Sequence, residues 1–230
     1  MNEKRSTSEL IKAVILRVGV GMPVVALIIL LPSGKWDYWQ GWMYLATIFI
    51  PMFFVFAYLL KNDPALLERR MHMREKEAAQ RKIISLSYIY FLAAFIMPGL
   101  DVRFGWSTQS VPPLLSVIAD AFVFAGYMIF VWVLTVNSYL SRVVEVDASQ
   151  KVVSTGPYAI VRHPMYFGVS LMYIASPLAL GSYWALIPAL FIVPLLIARI
   201  RNEEQVLLRD LPGYAEYRHK VKYRLLPGIW

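Results

Sequence analysis

The sequence predicts an all-α membrane protein with about six transmembrane helices, the last two a short helical hairpin, followed by a cytoplasmic helical tail. Three observations carry this. Hydrophobic residues make up 58% of the 230 residues, and the mean hydropathy is +0.53, more than a soluble domain hides in its own core. The apolar residues gather in long runs separated by short polar stretches. The basic residues fall almost entirely on alternate connections between those runs.

Four runs, at 11–31, 40–60, 83–100 and 114–136, reach the length of about 18 residues at which a helix crosses the hydrocarbon. The first resembles a signal peptide, but its apolar stretch is too long for one and no small-x-small cleavage site follows, so it reads as a retained helix. Two shorter runs, 166–181 and 183–198, meet at Gly181-Ser182-Tyr183. They predict a tilted or partly submerged hairpin, with Pro177, Pro188 and Pro194 as points of kinking. Of the 23 Lys and Arg residues, only Lys35 and Arg103 lie in the connections 32–39, 101–113 and 181–183. By the positive-inside rule both termini are then cytoplasmic, as in a bacterial-type inner membrane.

The outer ends carry WDYWQGW (Trp36–Trp42) and RFGW (Arg103–Trp106), a pattern suited to the headgroup level. The basic stretch 61–82 reads as a cytoplasmic amphipathic helix with Pro64 in its first turn, solvated and facing lipid. Asp120 stands about two turns into the fourth run, where a charge must snorkel, bond within the bundle or serve a function. With no cysteine, disulfides and thiolate chemistry are excluded. The three histidines (His72, His163 and His219) are scattered, so no metal site is expected. The net charge of +8 follows membrane topology and does not suggest nucleic acid.

The chain divides into helices 1–4 (1–136) and a segment 137–230 that holds the informative polar residues. The stretch 137–162 is too polar to span and too apolar for a free loop; it alternates at Val144-Glu145-Val146-Asp147 and turns at Ser154–Pro157. It should pack at the cytoplasmic surface. Beyond the hairpin, Arg199 and Glu203 are four apart on one helical face, either a plain ion pair or part of a site. Ile200, Val206, Leu207 and Leu211 form an apolar stripe, and Leu211-Pro212-Gly213 breaks the helix. A hairpin brings its first and last turns together. Tyr158, His163 and Tyr166 would therefore face Arg199 and Glu203 across one pocket, suited to a zwitterionic or cationic ligand beside lipid.

The order S-x-G-P-Y-x-x-V-R-H-P-x-Y-x-G, a hairpin, R-x-x-x-E-E-x-x-L, then Y-x-x-Y and a last basic residue ahead of Pro227 resembles the isoprenylcysteine carboxyl methyltransferase family. Phospholipid N-methyltransferases share much of this core. The resemblance runs from about Asn137 to Pro227, and the earlier helices are similar in number and hydropathy alone. It implies an integral membrane enzyme that uses S-adenosyl-L-methionine without a G-x-G-x-x-G loop, and none is present here. It also implies cofactor contacts at Gln150, Lys151, Val152, Val153, Tyr158, His163, Pro164, Met165, Tyr166 and Glu203, with Arg199 assigned to the substrate. Two departures are Gln150, a histidine in eukaryotic members, and Leu211-Pro212-Gly213-Tyr214, one residue shorter than the usual Phe-Gly-x-x-Tyr.

The chemistry of these residues suits that cofactor. Glu203 would accept from its amino group, Tyr158 or Tyr166 would meet the sulfonium, and Val152, Val153 and Met165 would wall an adenine slot. Methyl transfer is an in-line displacement that mainly demands alignment. A carboxylate acceptor, already ionised, needs only Arg199 to hold it; an amine or thiol must lose a proton, for which His163 is the candidate catalytic acceptor. The acceptor is expected to be a lipophilic or small molecule. Two alternatives stand beside this reading: an NADPH-dependent membrane reductase on a related scaffold, and a non-catalytic transporter or scaffold.

Overall fold

The computed structural model describes residues 7–71, 78–107, 110–141, 146 and 149–230; among them are helices and turns and no strand. In chain order the helices are α1 (Thr7–Leu30), α2 (Trp39–Asn62), α3 (Pro64–Met71), α4 (Ala78–Phe104), α5 (Pro113–Val136), α6 (Pro164–Ala179), α7 (Leu186–Leu190), α8 (Ile192–Asp210) and α9 (Tyr214–Lys220). Four stretches among these residues are long and apolar enough to cross a membrane: Ser8–Ser33, Trp39–Asn62, Gln80–Phe104 and Pro113–Val136.

The expected hairpin adds no further helix of that length and apolarity. Helix α6 has 16 residues, about 24 Å of rise. The return arm, expected over 183–198 with kinks at Pro188 and Pro194, is broken at Phe191 into the five-residue α7 and the longer α8. Pro194 explains the break: its ring takes the space of the carbonyl of Leu190, the residue on which α7 ends. Within α8 it occupies the first turn, where a missing N–H costs no helical bond. The turn between the arms is well formed. Gly181 adopts φ 73°, its N–H donates to the Leu178 carbonyl, and the Ser182 N–H reaches the Pro177 carbonyl, a pattern that satisfies the carbonyls of a helix end.

Helix α6 packs most closely along α5, antiparallel to it. The contact is backbone to backbone: a Cβ on Gly168 would lie 2.6 Å from the Gly126 carbonyl oxygen, and one on Gly126 would lie 2.6 Å from that of Gly168. Only glycine fits at either position. The return arm instead leans on α4, where Phe191 stacks on Tyr90 at 5.1 Å.

The stretch 61–82 is also revised. Asp63 caps α3, its Oδ1 accepting from the Leu66 N–H at 2.9 Å, and Pro64 takes the first position. Leu66 and Leu67 are fully buried against Leu10, Val14, Leu59 and Leu134, so this helix is part of the bundle and not a lipid-facing strip. His72 and the rest of 72–77 lie outside the described residues. The tryptophans Trp36, Trp39, Trp42 and Trp106 are exposed, consistent with a headgroup belt. At the same end, Asp101 accepts from the Ser107 N–H and hydroxyl and from the Ser182 hydroxyl, tying the α4 terminus to the hairpin turn.

Asp120 does not snorkel. It is 7% exposed, and its Oδ2 accepts from the Thr47 hydroxyl of α2 at 2.6 Å, while Oδ1 has no hydrogen-bond partner among the described residues. Nearby, the hydroxyls of Tyr44 and Ser176 pair at 2.8 Å. These bonds pin α2 to α5 and α6.

Candidate functional site

The site is built at the basic end of the bundle, where the stretch after α5, the start of α6 and the second half of α8 converge. Asn137 ends α5, and Gly156 (φ 58°) bends the chain into a short 3-10 turn, Gly156–Ala159. Its Tyr158 points back to the bundle, the hydroxyl accepting from Asn137 Nδ2 at 2.8 Å and the carbonyl accepting from the Tyr217 hydroxyl at 2.8 Å. Burial pushes the Tyr158 phenol up to about 12 despite the Asn137 bond, so it stays neutral. Pro164 occupies the first position of α6. A proline there keeps the preceding residue, His163, out of the helical conformation, so the His163 ring projects from the helix entrance.

Around this entrance lies an open cavity, with about 870 Å³ of empty space between its walls and in its mouth. Every residue singled out for cofactor or substrate lines it: Gln150, Lys151, Val152, Val153, Tyr158, His163, Pro164, Met165, Tyr166, Arg199 and Glu203. The alternating stretch 144–147 lies outside the described residues save Val146, which packs with Tyr158, Leu211, Tyr214 and Tyr217.

Arg199 and Glu203 are joined through a third residue. The Tyr166 hydroxyl donates to Glu203 Oε2 at 2.6 Å and accepts from Arg199 Nε at 2.8 Å. Gln80 of α4 holds the same arginine, its Oε1 accepting from Arg199 Nη1 at 3.1 Å and its Nε2 donating to the Arg199 carbonyl at 3.2 Å. Glu203 Oε1 makes no hydrogen bond among the described residues and sits 4.0 Å from His163 Nδ1.

The other acid of the pair, Glu204, is buried and forms a hub. Its Oε1 accepts from Arg162 Nε at 2.7 Å and lies 3.4 Å from His163 Nε2; its Oε2 accepts from Arg224 Nε at 2.8 Å. Burial alone would raise this carboxyl, but the bonds from His163, Arg162 and Arg224 outweigh it and hold it at about 2. Arg162 also donates from Nη1 to the Val221 and Lys222 carbonyls, and the N–H groups of Arg162 and His163 donate to the Tyr223 and Arg224 carbonyls. The segment 221–224 is thereby strapped across the entrance of α6.

Sequence reasoning passed over Glu204, Arg162, Arg224, Gln80 and Tyr214. The doubled acid in RNEE and the arginine of RHP were visible signals. Gln80 carried none, because its partner is far along the chain. Tyr214 lines the cavity with a buried hydroxyl that has no hydrogen-bond partner among the described residues, and burial, with Glu204 and Glu203 nearby, raises its phenol.

Residues 116–209 match the model of the isoprenylcysteine carboxyl methyltransferase (ICMT) family. The resemblance seen in the motifs is thus found again, with different limits: the match takes in α5 from Ser116, includes RHPMY and RNEE, and stops before Leu211. The tail left out is the part whose Leu-Pro-Gly-Tyr departs from the usual pattern. No curated protein matches the chain. All of the cavity lining except Leu211, Tyr214 and Tyr217 falls within the matched residues.

Proposed function

We propose that this chain is an integral membrane methyltransferase that uses S-adenosyl-L-methionine. The supporting observation is that one cavity gathers Glu203, Tyr158, Tyr166, His163, Arg199 and the 150–153 stretch. The donor set fits the cofactor. Glu203 Oε1 is available to a cationic amino group while Oε2 is fixed by Tyr166. Val152, Val153 and Met165 belong to the apolar cluster beside Tyr158, a flat surface for adenine. Tyr158 is the better face for a sulfonium, since Tyr166 already has the Arg199 guanidinium 6.0 Å from its ring centre.

When bound, the cofactor supplies an electrophilic methyl group on a sulfonium. The protein's own part is alignment and exclusion of water. Arg199, held at Nε and Nη1, presents a charged fork to a carboxylate acceptor. For an amine or thiol acceptor, His163 takes the proton at Nδ1, its Nε2 being turned to Glu204. The basic end is cytoplasmic by the charge rule, so the cofactor enters from the cytosol and a lipophilic or small acceptor from the bilayer. Cofactor work falls to 137–230, and the helices before it select the acceptor.

Calorimetric titration of the detergent-purified chain with S-adenosylhomocysteine tests this reading. Saturable binding is expected, weakened about tenfold or more in Glu203→Gln, whereas Arg199→Ala lowers turnover with cofactor affinity retained. No binding by folded, monodisperse protein refutes it, and binding of NADPH instead would point to the reductase alternative.

A further inference from the structure

A second hollow lies at the same end, under α9 and the strap that follows it. Five basic residues line it: Arg162 from the entrance of α6, Arg218 and His219 from α9, and Lys222 and Arg224 from the strap. The rest of the lining is Leu208 and Ala215, with no carboxylate. Arg162 and Arg224 share Glu204; the side chains of Arg218, His219 and Lys222 make no hydrogen bond or ion pair among the described residues.

An exposed basic tail is ordinary beside a membrane. A concave surface where cations from three segments converge is not, when Glu204 supplies a single carboxylate to Arg162 and Arg224 and none reaches Arg218 or Lys222 among the described residues, because like charges brought together repel unless an anion joins them. Arg162 adds a second observation. Its side chain is 4% exposed and donates from Nε and Nη1, yet Nη2 has no acceptor among the described residues. A buried guanidinium with unused donors, in a wall shared with Arg218 and Arg224, has the planar geometry that grips the oxygens of a phosphate.

We propose that this hollow binds a phosphate group, carried either by an anionic phospholipid headgroup or by a soluble phosphate. This rests on the hollow's own residues and does not depend on the methyltransferase reading. Arg162 lines both hollows, while Arg218, His219, Lys222 and Arg224 line this one alone, so the anion would sit beside the cofactor pocket and not within it.

The test uses the full chain in a neutral maltoside detergent, titrated by calorimetry with dihexanoyl phosphatidylglycerol, dihexanoyl phosphatidylcholine and inorganic phosphate. Arg218→Gln/Lys222→Gln removes two charges from the hollow; Arg81→Gln/Lys82→Gln removes two from an exposed stretch of α4. The proposal expects saturable anion binding that the first pair weakens about tenfold or more and the second leaves unchanged. Phosphatidylglycerol binding well above inorganic phosphate assigns a lipid headgroup, and equal binding assigns a soluble phosphate. Absence of anion binding in the wild type, or equal loss in both double variants, overturns it.

Discussion

Replacing Glu204 with glutamine removes one charge from a buried hub while keeping its shape. The carboxyl is held at about 2 against an ordinary 4.5, by bonds from His163, Arg162 and Arg224 that overcome the cost of burial. At about 1.4 kcal/mol for each tenfold, the charged form is favoured in the fold by roughly 3 kcal/mol. Glu204→Gln should lose about that much at neutral pH, since Arg162 and Arg224 keep their burial but lose their counter-charge. For a chain of this size that is a fall in Tm of roughly 6–12 °C.

The sign of the pH dependence follows from the lowered value. A carboxyl depressed in the fold contributes fully above about pH 4.5, and the contribution disappears as pH falls toward about 2. Wild type should therefore lose stability on acidification through that window, and the variant should lose about 3 kcal/mol less of it. The assay is intrinsic-fluorescence thermal unfolding of purified protein from pH 7 to pH 2.5. A variant within about 0.5 kcal/mol of wild type at pH 7, the spread of ordinary surface changes, or one with the same acid slope, would refute the hub.

Gly168→Ala should destabilise by about 1–3 kcal/mol, because its methyl would sit 2.6 Å from the Gly126 carbonyl oxygen; an unchanged melting curve would remove the close α5–α6 approach. Tyr214→Phe should leave stability unchanged or slightly raised, since the deleted hydroxyl is buried without a partner among the described residues; a loss above about 1 kcal/mol in the same assay would show that it bonds after all. Tyr166→Phe removes the hydroxyl joining Arg199 to Glu203 and should weaken S-adenosylhomocysteine binding about fivefold or more in calorimetry. Unaltered affinity would mean that Glu203 needs no positioning.

Much of the bundle was legible because membrane helices obey one-dimensional rules. Run length sets the span, and the boundaries of α2 and α5 fall within a few residues of the apolar runs that predicted them. The hairpin was harder. Its prolines marked where it would kink, but three candidates, Pro177, Pro188 and Pro194, look alike in sequence, and only the structure shows that the arm breaks at Phe191, ahead of Pro194. The same limit hid the role of 61–82: Leu66 and Leu67 are apolar either way, and only the neighbours Leu10, Leu59 and Leu134 show that they are core.

At the cavity, residue chemistry was readable where motifs were dense, as in Tyr158–Tyr166 and Arg199–Glu203. By itself the sequence determined the membrane class, the basic end and the types of group available for a site, because composition, spacing and charge are local properties of the chain. Spacing and resemblance singled out Glu203, but only tertiary structure decided what Glu204 does. Glu203 and Glu204 are chemically identical neighbours, but successive helical residues point about 100° apart. One therefore faces the cavity with Tyr166, and the other turns to Arg162 and Arg224. Likewise Gln80 reaches Arg199 across 119 positions, a pairing that no local pattern encodes.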